Sequence, residues 1–286
     1  MRLVSYYLGN EYRVAGVRGT DLVDIAATDP SLPCTMRGLL AGGATTMEKA
    51  RAAIACGQGF DPASVQLVAP VPDPEKVICI GLNYADHAAE SGQPVPGEPV
   101  VFCKFPTAVR AHGDAIVLPK STQKVDYEAE LVAIIGVGGK HIPREKALEH
   151  VAGYCCGNDV SARDWQLQKP GGQWLLGKTF DSFAPFGPYL VTADEVGDPG
   201  SLDIKLRLDG ETMQNSNTRQ FIFSLDKVIA YLSTVCTLKP GDVIFTGTPP
   251  GVGGARKPPV FMKAGQRVEV EIEKIGTLVN HLVDEE

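Results

Sequence analysis

The chain has 286 residues, 44% of them hydrophobic, and its 27 basic and 34 acidic residues give a net charge of −7. That length supports one substantial core, or one core plus a small extra domain. The acidic balance argues against a general nucleic-acid or anionic-membrane binder, which carries a basic stripe. No apolar run approaches a membrane span, and the first residues lack the apolar centre of a signal peptide. Seven scattered cysteines without C-x-x-C spacing fit neither a disulfide framework nor a zinc ribbon. A reducing compartment is therefore expected: the cytoplasm first, with the mitochondrial matrix as the alternative if a presequence is missing.

Along the chain, RLVSYYL, EYRVAGVRG and DLVDIAA read as short strands, and TTMEKARAAIACG has helical apolar spacing with a glycine stop. The proline-rich VAPVPDPEK, 68–76, marks a boundary, which predicts a small N-terminal domain over 1–70 and a larger one over 71–286. Strand-like segments dominate thereafter, with helical spacing mainly at 143–152, 160–168 and 224–236. Strands and helices do not alternate regularly, so a doubly wound parallel sheet is not expected. The predicted class is α+β and β-rich.

In GLNYADHAAESGQPVPGEP, Asn83 or Asp86 is placed to cap a short helix carrying His87 and Glu90 three apart on one face. A carboxylate beside an imidazole fixes its tautomer and raises its basicity, which suits a general base. The alternative is an ordinary surface pair. The Gly/Pro-rich tail of the segment reads as a loop or lid.

KVDYEAELVAIIG then places Asp126, Glu128 and Glu130 two apart, on one face of a predicted strand whose other face carries Val125, Tyr127, Ala129 and Leu131. Two such carboxylates about 6 Å apart repel by about 3 kcal/mol at an effective dielectric near 20. A solvated strand face would tolerate that repulsion; a strand entering the core calls for a cation instead. Asp159, among small residues in YCCGNDVSARDWQ, is placed to complete the set. Carboxylates alone select hard ions: Mg²⁺, Mn²⁺ or Ca²⁺.

Gly172–Thr179, GQWLLGKT, matches the phosphate-loop pattern G-x-x-x-x-G-K-[ST]. No strand pattern precedes it, bulky Trp174, Leu175 and Leu176 fill its variable positions, and prolines follow, so a nucleotide site is rejected. Lys178 remains of interest as a cation for an anionic substrate. In GDVIFTGTPPGVG a strand runs into a turn whose N–H groups, with Thr246 or Thr248, suit a carboxylate; a plain tight turn is the alternative.

In this order, NYADHAAE, DYEAELVAIIG, GNDVSARDWQ, WLLGKTFDSFAPFGP and DVIFTGTPPGVG resemble the fumarylacetoacetate hydrolase family over about residues 70–286. MRLV, SARDWQ, QWLLGKTFD and RKPPVF resemble its domain-containing proteins of the second type. The resemblance implies a β-roll that dimerises, with an appended N-terminal domain, and Mg²⁺ (alternatively Ca²⁺ or Mn²⁺) held by Glu128, Glu130 and Asp159, with Asp126 a neighbour. It further implies a lid-borne His87–Glu90 pair, Lys178 as active-site lysine, and Gln166 and Thr248 as substrate contacts. One position departs from the pattern: Leu82 stands where acylpyruvate-cleaving and decarboxylating relatives commonly carry arginine, whose fork would grip a carboxylate.

Three functions use these parts. The first is metal-dependent hydrolysis of C–C bonds in small β-diketo or 2-oxo acids through a metal-stabilised enolate. The second is keto–enol tautomerisation or decarboxylation of oxaloacetate at the same site. The third is a catalytically decayed, metal-stabilised binding protein. The partners expected are a small 2-oxo or β-keto acid and a second copy of the chain in a homodimer, with no nucleic acid and no membrane.

Overall fold

Short runs rich in Val, Leu and Tyr make strands of Arg2–Leu8, Glu11–Arg18 and Asp21–Asp24, each with a continuous buried stretch, and these pair antiparallel as a meander. The computed structural model describes residues 1–91 and 94–286. In it the meander continues into a larger sheet, because Arg2 and Leu3 pair with Val191 and Leu190. The 12-stranded sheet that results runs on through Ala184–Thr192, Val151–Asn158, Ala129–Ile135, Val243–Phe245, Val77–Gly81 and Val100–Lys104. Leu3, Val14 and Leu39 share a buried cluster with Cys79, Val132 and Phe245. Sheet and core thus cross the 70/71 boundary suggested by the proline-rich segment.

A second, five-stranded sheet comprises Glu211–Asn217, Asp203–Leu208, Arg267–Ile272, Gly276–Asp284 and Ala115–Leu118. One cluster joins the sheets, with Leu131, Ala133 and Ile135 from the first, Ile204, Leu206 and Val270 from the second, and Val228 and Ile229 from the Leu225–Val235 helix. Each of these Leu, Ile and Val side chains stabilises the fold by about 1.5–3 kcal/mol through burial. This is the β-rich α+β class predicted from the sequence.

The Gly43–Cys56 helix stops at Gly57 as expected, but two other helices differ. Over 143–152 the chain forms a 3₁₀ segment, Arg144–His150, whose last carbonyl accepts the Gly136 and Val137 N–H groups instead of continuing a helix. Over 160–168 the helix is only Arg163–Leu167, because Ser161–Ala162 is drawn into a ladder with Val125–Asp126. Gly92 and Gln93, in the stretch expected to form a lid, lie outside the described residues. All seven cysteines are free thiols, and adjacent Cys155 and Cys156 are buried, where burial pushes both thiols up. Among the described residues no helix is long and apolar enough to cross a membrane.

Candidate active site

The acidic strip is not one strand. It breaks after Val125–Asp126 and resumes at Ala129, and side chains take over the backbone bonds at the break. Asn158 Oδ1 accepts the Glu128 N–H at 2.9 Å, and Gln214 Oε1 accepts the Ala129 N–H at 2.8 Å. The Asp159 N–H donates to the Glu128 carbonyl at 2.9 Å. Pairing of Ala129 with Asn158 and of Glu130 with Gly157 then sets the two acidic strand ends side by side. The outcome is a buried cluster in which Glu128, Glu130 and Asp159 each present a carboxylate oxygen within 4.8 Å of the others.

Cations hold two of the three. Lys178 Nζ lies 2.8 Å from Glu128 Oε2 and 2.9 Å from Asp159 Oδ2. Lys104 Nζ lies 2.6 Å from Asp159 Oδ1, and Arg163 reaches Glu128 Oε1 and Asp126 Oδ2, both at 2.7 Å. Glu130 accepts the Gly247 N–H at 2.7 Å and has no ion pair among the described residues. Burial alone would raise the Glu128 carboxyl, but Lys178 and Arg163 pull it down to about 2. Burial, with Asp159 and Glu128 alongside, pushes Glu130 well above the usual carboxylate range. Burial works against the Lys178 ammonium, yet Asp159 and Glu128 raise it.

Four carboxyl groups therefore face three cations, of which Lys104 and Lys178 are buried and Arg163 is partly exposed, and Glu130 is the one left without a cation among the described residues. An all-oxygen donor set with one carboxyl more than its cations fits a hard divalent cation, which would replace the Glu130 proton. Lys178, expected to await an anionic substrate, has its charge balanced within the protein by Glu128 and Asp159.

Asp126 belongs to a different device. Its Oδ1 accepts the Tyr127 and Gly253 N–H groups, and its Oδ2 accepts those of Gly254 and Arg163. It thus ties the 252–255 turn to the floor of the site. The glycine turn does cradle carboxylates, but they are the protein's own: Glu130 at Gly247, Glu90 at Gly251 and Asp126 at Gly253–Gly254. The Thr246 hydroxyl donates to the Leu131 carbonyl, and the Thr248 hydroxyl accepts from Gln214.

His87 and Glu90 ride on the Ala85–Ser91 helix with His87 Nδ1 3.1 Å from Glu90 Oε2. Glu90 also takes the Gly251 N–H at 3.0 Å, which docks the helix on the turn. Neither expected cap is one: the helix starts at Ala85, so Asp86 sits in its first turn and accepts the adjacent His87 N–H, while the Asn83 side chain bonds the backbone of Phe223 and Thr246. Gln166 Oε1 accepts from Arg163 at 2.9 Å. Every candidate residue, namely the His87–Glu90 pair, Lys178, Gln166, Thr248 and the three carboxylates, lines one cavity of about 770 Å³.

Three charged or polar residues escaped the sequence reading: Lys104, Arg163 and Gln214. A lone lysine in the apolar strand VVFCK, and Arg163 one helical turn before Gln166, were the available signals. The phosphate-loop look-alike is a turn, Leu175–Lys178, that carries Lys178.

Residues 76–283 match the family model described as the fumarylacetoacetate (FAA) hydrolase C-terminal domain. The chain belongs to the fumarylacetoacetate hydrolase family. Within the family it is 50% identical over 266 residues to the mitochondrial oxaloacetate tautomerase fahd2 of Xenopus laevis, across 93% of this chain and 83% of that protein. It is 47% identical over 288 residues to the human mitochondrial oxaloacetate tautomerase FAHD2A, across 99% and 92%. Among solved structures it is similar to fumarylacetoacetate hydrolase of Exiguobacterium antarcticum, with 34% identity, a TM-score of 0.86 and all of both chains covered. It is also similar to maleylpyruvate hydrolase of Sphingobium sp. solved with manganese(II) and pyruvate, with 33% identity, a TM-score of 0.82 and all of both chains covered.

Proposed function

We propose that this member of the fumarylacetoacetate hydrolase family interconverts the keto and enol forms of small 2-oxo acids, oxaloacetate foremost. The observation that carries the reading is one cavity holding both a His87–Glu90 pair and a buried carboxyl cluster in which Glu130 lacks a cation. Tautomerisation asks for a base that moves one proton and a site that tolerates negative charge on the neighbouring oxygen.

With His87 Nδ1–H donating to Glu90, Nε2 is the basic nitrogen and takes or returns the proton at the carbon beside the carbonyl. Gly251 holds Glu90, and so steadies the imidazole. When bound by Glu128, Glu130 and Asp159, a divalent cation (Mg²⁺, Mn²⁺ or Ca²⁺) supplies Lewis acidity to the oxo group. Arg163, whose Nη2 has no hydrogen-bond partner among the described residues, and Gln166 orient the acid's carboxylate, while Lys178 holds Glu128 and Asp159 in place.

The relatives' names support the tautomerase over the C–C hydrolysis expected first from the sequence. Hydrolysis stands second, favoured by the likeness to a maleylpyruvate hydrolase. The same names support a mitochondrial location over the cytoplasm. The proposal includes a homodimer without nucleic-acid or membrane partners, to be checked by light scattering.

An NMR time course in D₂O with oxaloacetate and acetylpyruvate, Mg²⁺ and an EDTA control tests the function. EDTA-sensitive exchange or equilibration of oxaloacetate with acetylpyruvate intact is expected. Release of acetate and pyruvate at a faster rate would make the protein a hydrolase.

A further inference from the structure

Above the carboxylate floor the cavity has two unlike flanks. On one, the Lys124 carbonyl accepts the Arg163 N–H, and Lys257 follows the turn that Asp126 fixes. Both lysines line the cavity, and neither has an ion pair among the described residues, so this flank is cationic.

The other flank is apolar and aromatic. Strands Val77–Gly81 and Val100–Lys104 pair antiparallel, and Ile80, Leu82 and Phe102 line the cavity from this side. Trp174 closes the wall edge-on to Phe102, with ring centroids 5.5 Å apart. Gly81 makes that fit possible: a Cβ there would lie 2.4 Å from Trp174 Cζ3. Lys178 Nζ lies 5.1 Å from the Phe102 ring centroid, so the wall begins beside the floor of the site.

A four-carbon diacid, charged at both ends, has no apolar group to match this wall. A cavity of about 770 Å³ is of the size that encloses considerably larger ligands, and an indole and a phenyl ring meeting edge-on offer an aromatic guest both faces and edges. We propose that Leu82, Phe102 and Trp174 form a substituent subsite, and that the protein accepts enolisable 2-oxo acids bearing an aryl or branched alkyl group on C3, with arylpyruvates as the class that fills it. The proposal rests on the enolisation chemistry above and extends it from one acid to a series.

Three acids that differ only on C3 test it: oxaloacetate (carboxylate), 2-oxobutanoate (methyl) and phenylpyruvate (phenyl). Exchange of the C3 proton for deuterium is followed by NMR with Mg²⁺, each rate normalised to the uncatalysed one. For the wild type, kcat/KM for phenylpyruvate is expected to exceed that for 2-oxobutanoate by about tenfold or more. Trp174→Ala should remove most of that advantage and leave oxaloacetate within about twofold. Gly81→Ala, which pushes the indole off the strand, should do the same should Trp174→Ala fail to fold.

Phenylpyruvate exchanging no faster than 2-oxobutanoate while oxaloacetate exchanges normally would overturn the subsite and leave the proposed function standing. Equal losses on all three acids in both variants would also overturn it, since a general structural defect would then explain them. Absence of exchange with every acid would overturn the enolisation reading, and the subsite with it.

Discussion

Gly177 lies against Gln166 so closely that a Cβ on it would sit 2.4 Å from the Gln166 backbone nitrogen and 2.6 Å from its Cα. The Leu175–Lys178 turn can therefore reach the Arg163–Leu167 helix only with glycine at this position, and that approach delivers Lys178 to Glu128 and Asp159. The glycine and lysine that imitate a phosphate loop thus serve close packing and an ion pair.

Gly177→Ala should cost about 1–3 kcal/mol in thermal or urea unfolding, as overpacking does, and lower exchange at C3 of oxaloacetate by more than about tenfold. Unchanged stability and unchanged exchange would show that the turn relaxes freely.

Glu130 and Glu128 should respond in opposite directions to the same isosteric change. Glu128→Gln strips partners from Lys178 and Arg163 and should destabilise the protein in EDTA by about 3 kcal/mol. Glu130→Gln removes the buried carboxylate that lacks a cation, so stability in EDTA should hold or rise. Its affinity for Mg²⁺ or Mn²⁺, by calorimetry, should fall by at least about tenfold. Equal destabilisation in the two variants would refute the assignment of Glu130 as the carboxyl left without a cation.

Far from the site, Asp24 accepts hydrogen bonds from the Tyr6 hydroxyl, bidentate Arg13 and the Ala27 N–H. Burial opposes the ionised carboxyl, but these partners outweigh it and hold Asp24 below the usual range. A carboxyl whose folded pKa is depressed stabilises fully above its unfolded value of about 3.9 and loses that contribution as pH falls through the folded value. Asp24→Asn should cost about 3 kcal/mol at neutral pH, and the gap to wild type should narrow below about pH 4. A gap that persists undiminished at pH 3 would contradict this.

Local pattern carried the strands, the Gly57 helix stop and the residue types of the site, and the order of five short motifs carried the family. What local pattern missed was long-range. The strand break at Tyr127–Glu128 is invisible to alternation because Asn158 and Gln214, 30 and 85 residues away from their backbone partners, replace the ladder. Lys104 and Arg163 escaped for the same reason, since their partners Asp159, Asp126 and Glu128 are distant in sequence. The glycine turn was legible as a carboxylate cradle, but which carboxylates it holds depended on where the Ala85–Ser91 helix docks. Proline at the 68–76 boundary signalled a change of direction, which is compatible with a sheet that continues on the other side.

The experiment to do first follows the loss of the oxaloacetate enol by ultraviolet absorbance after rapid mixing with wild type in Mg²⁺, wild type in EDTA, and His87→Ala in Mg²⁺. Acceleration by wild type in Mg²⁺ is expected, abolished by EDTA and reduced by about a hundredfold or more in His87→Ala, with Mg²⁺ affinity of the variant unchanged. Acceleration that survives the loss of His87 or of the divalent ion, or no acceleration at all, would contradict the proposed chemistry.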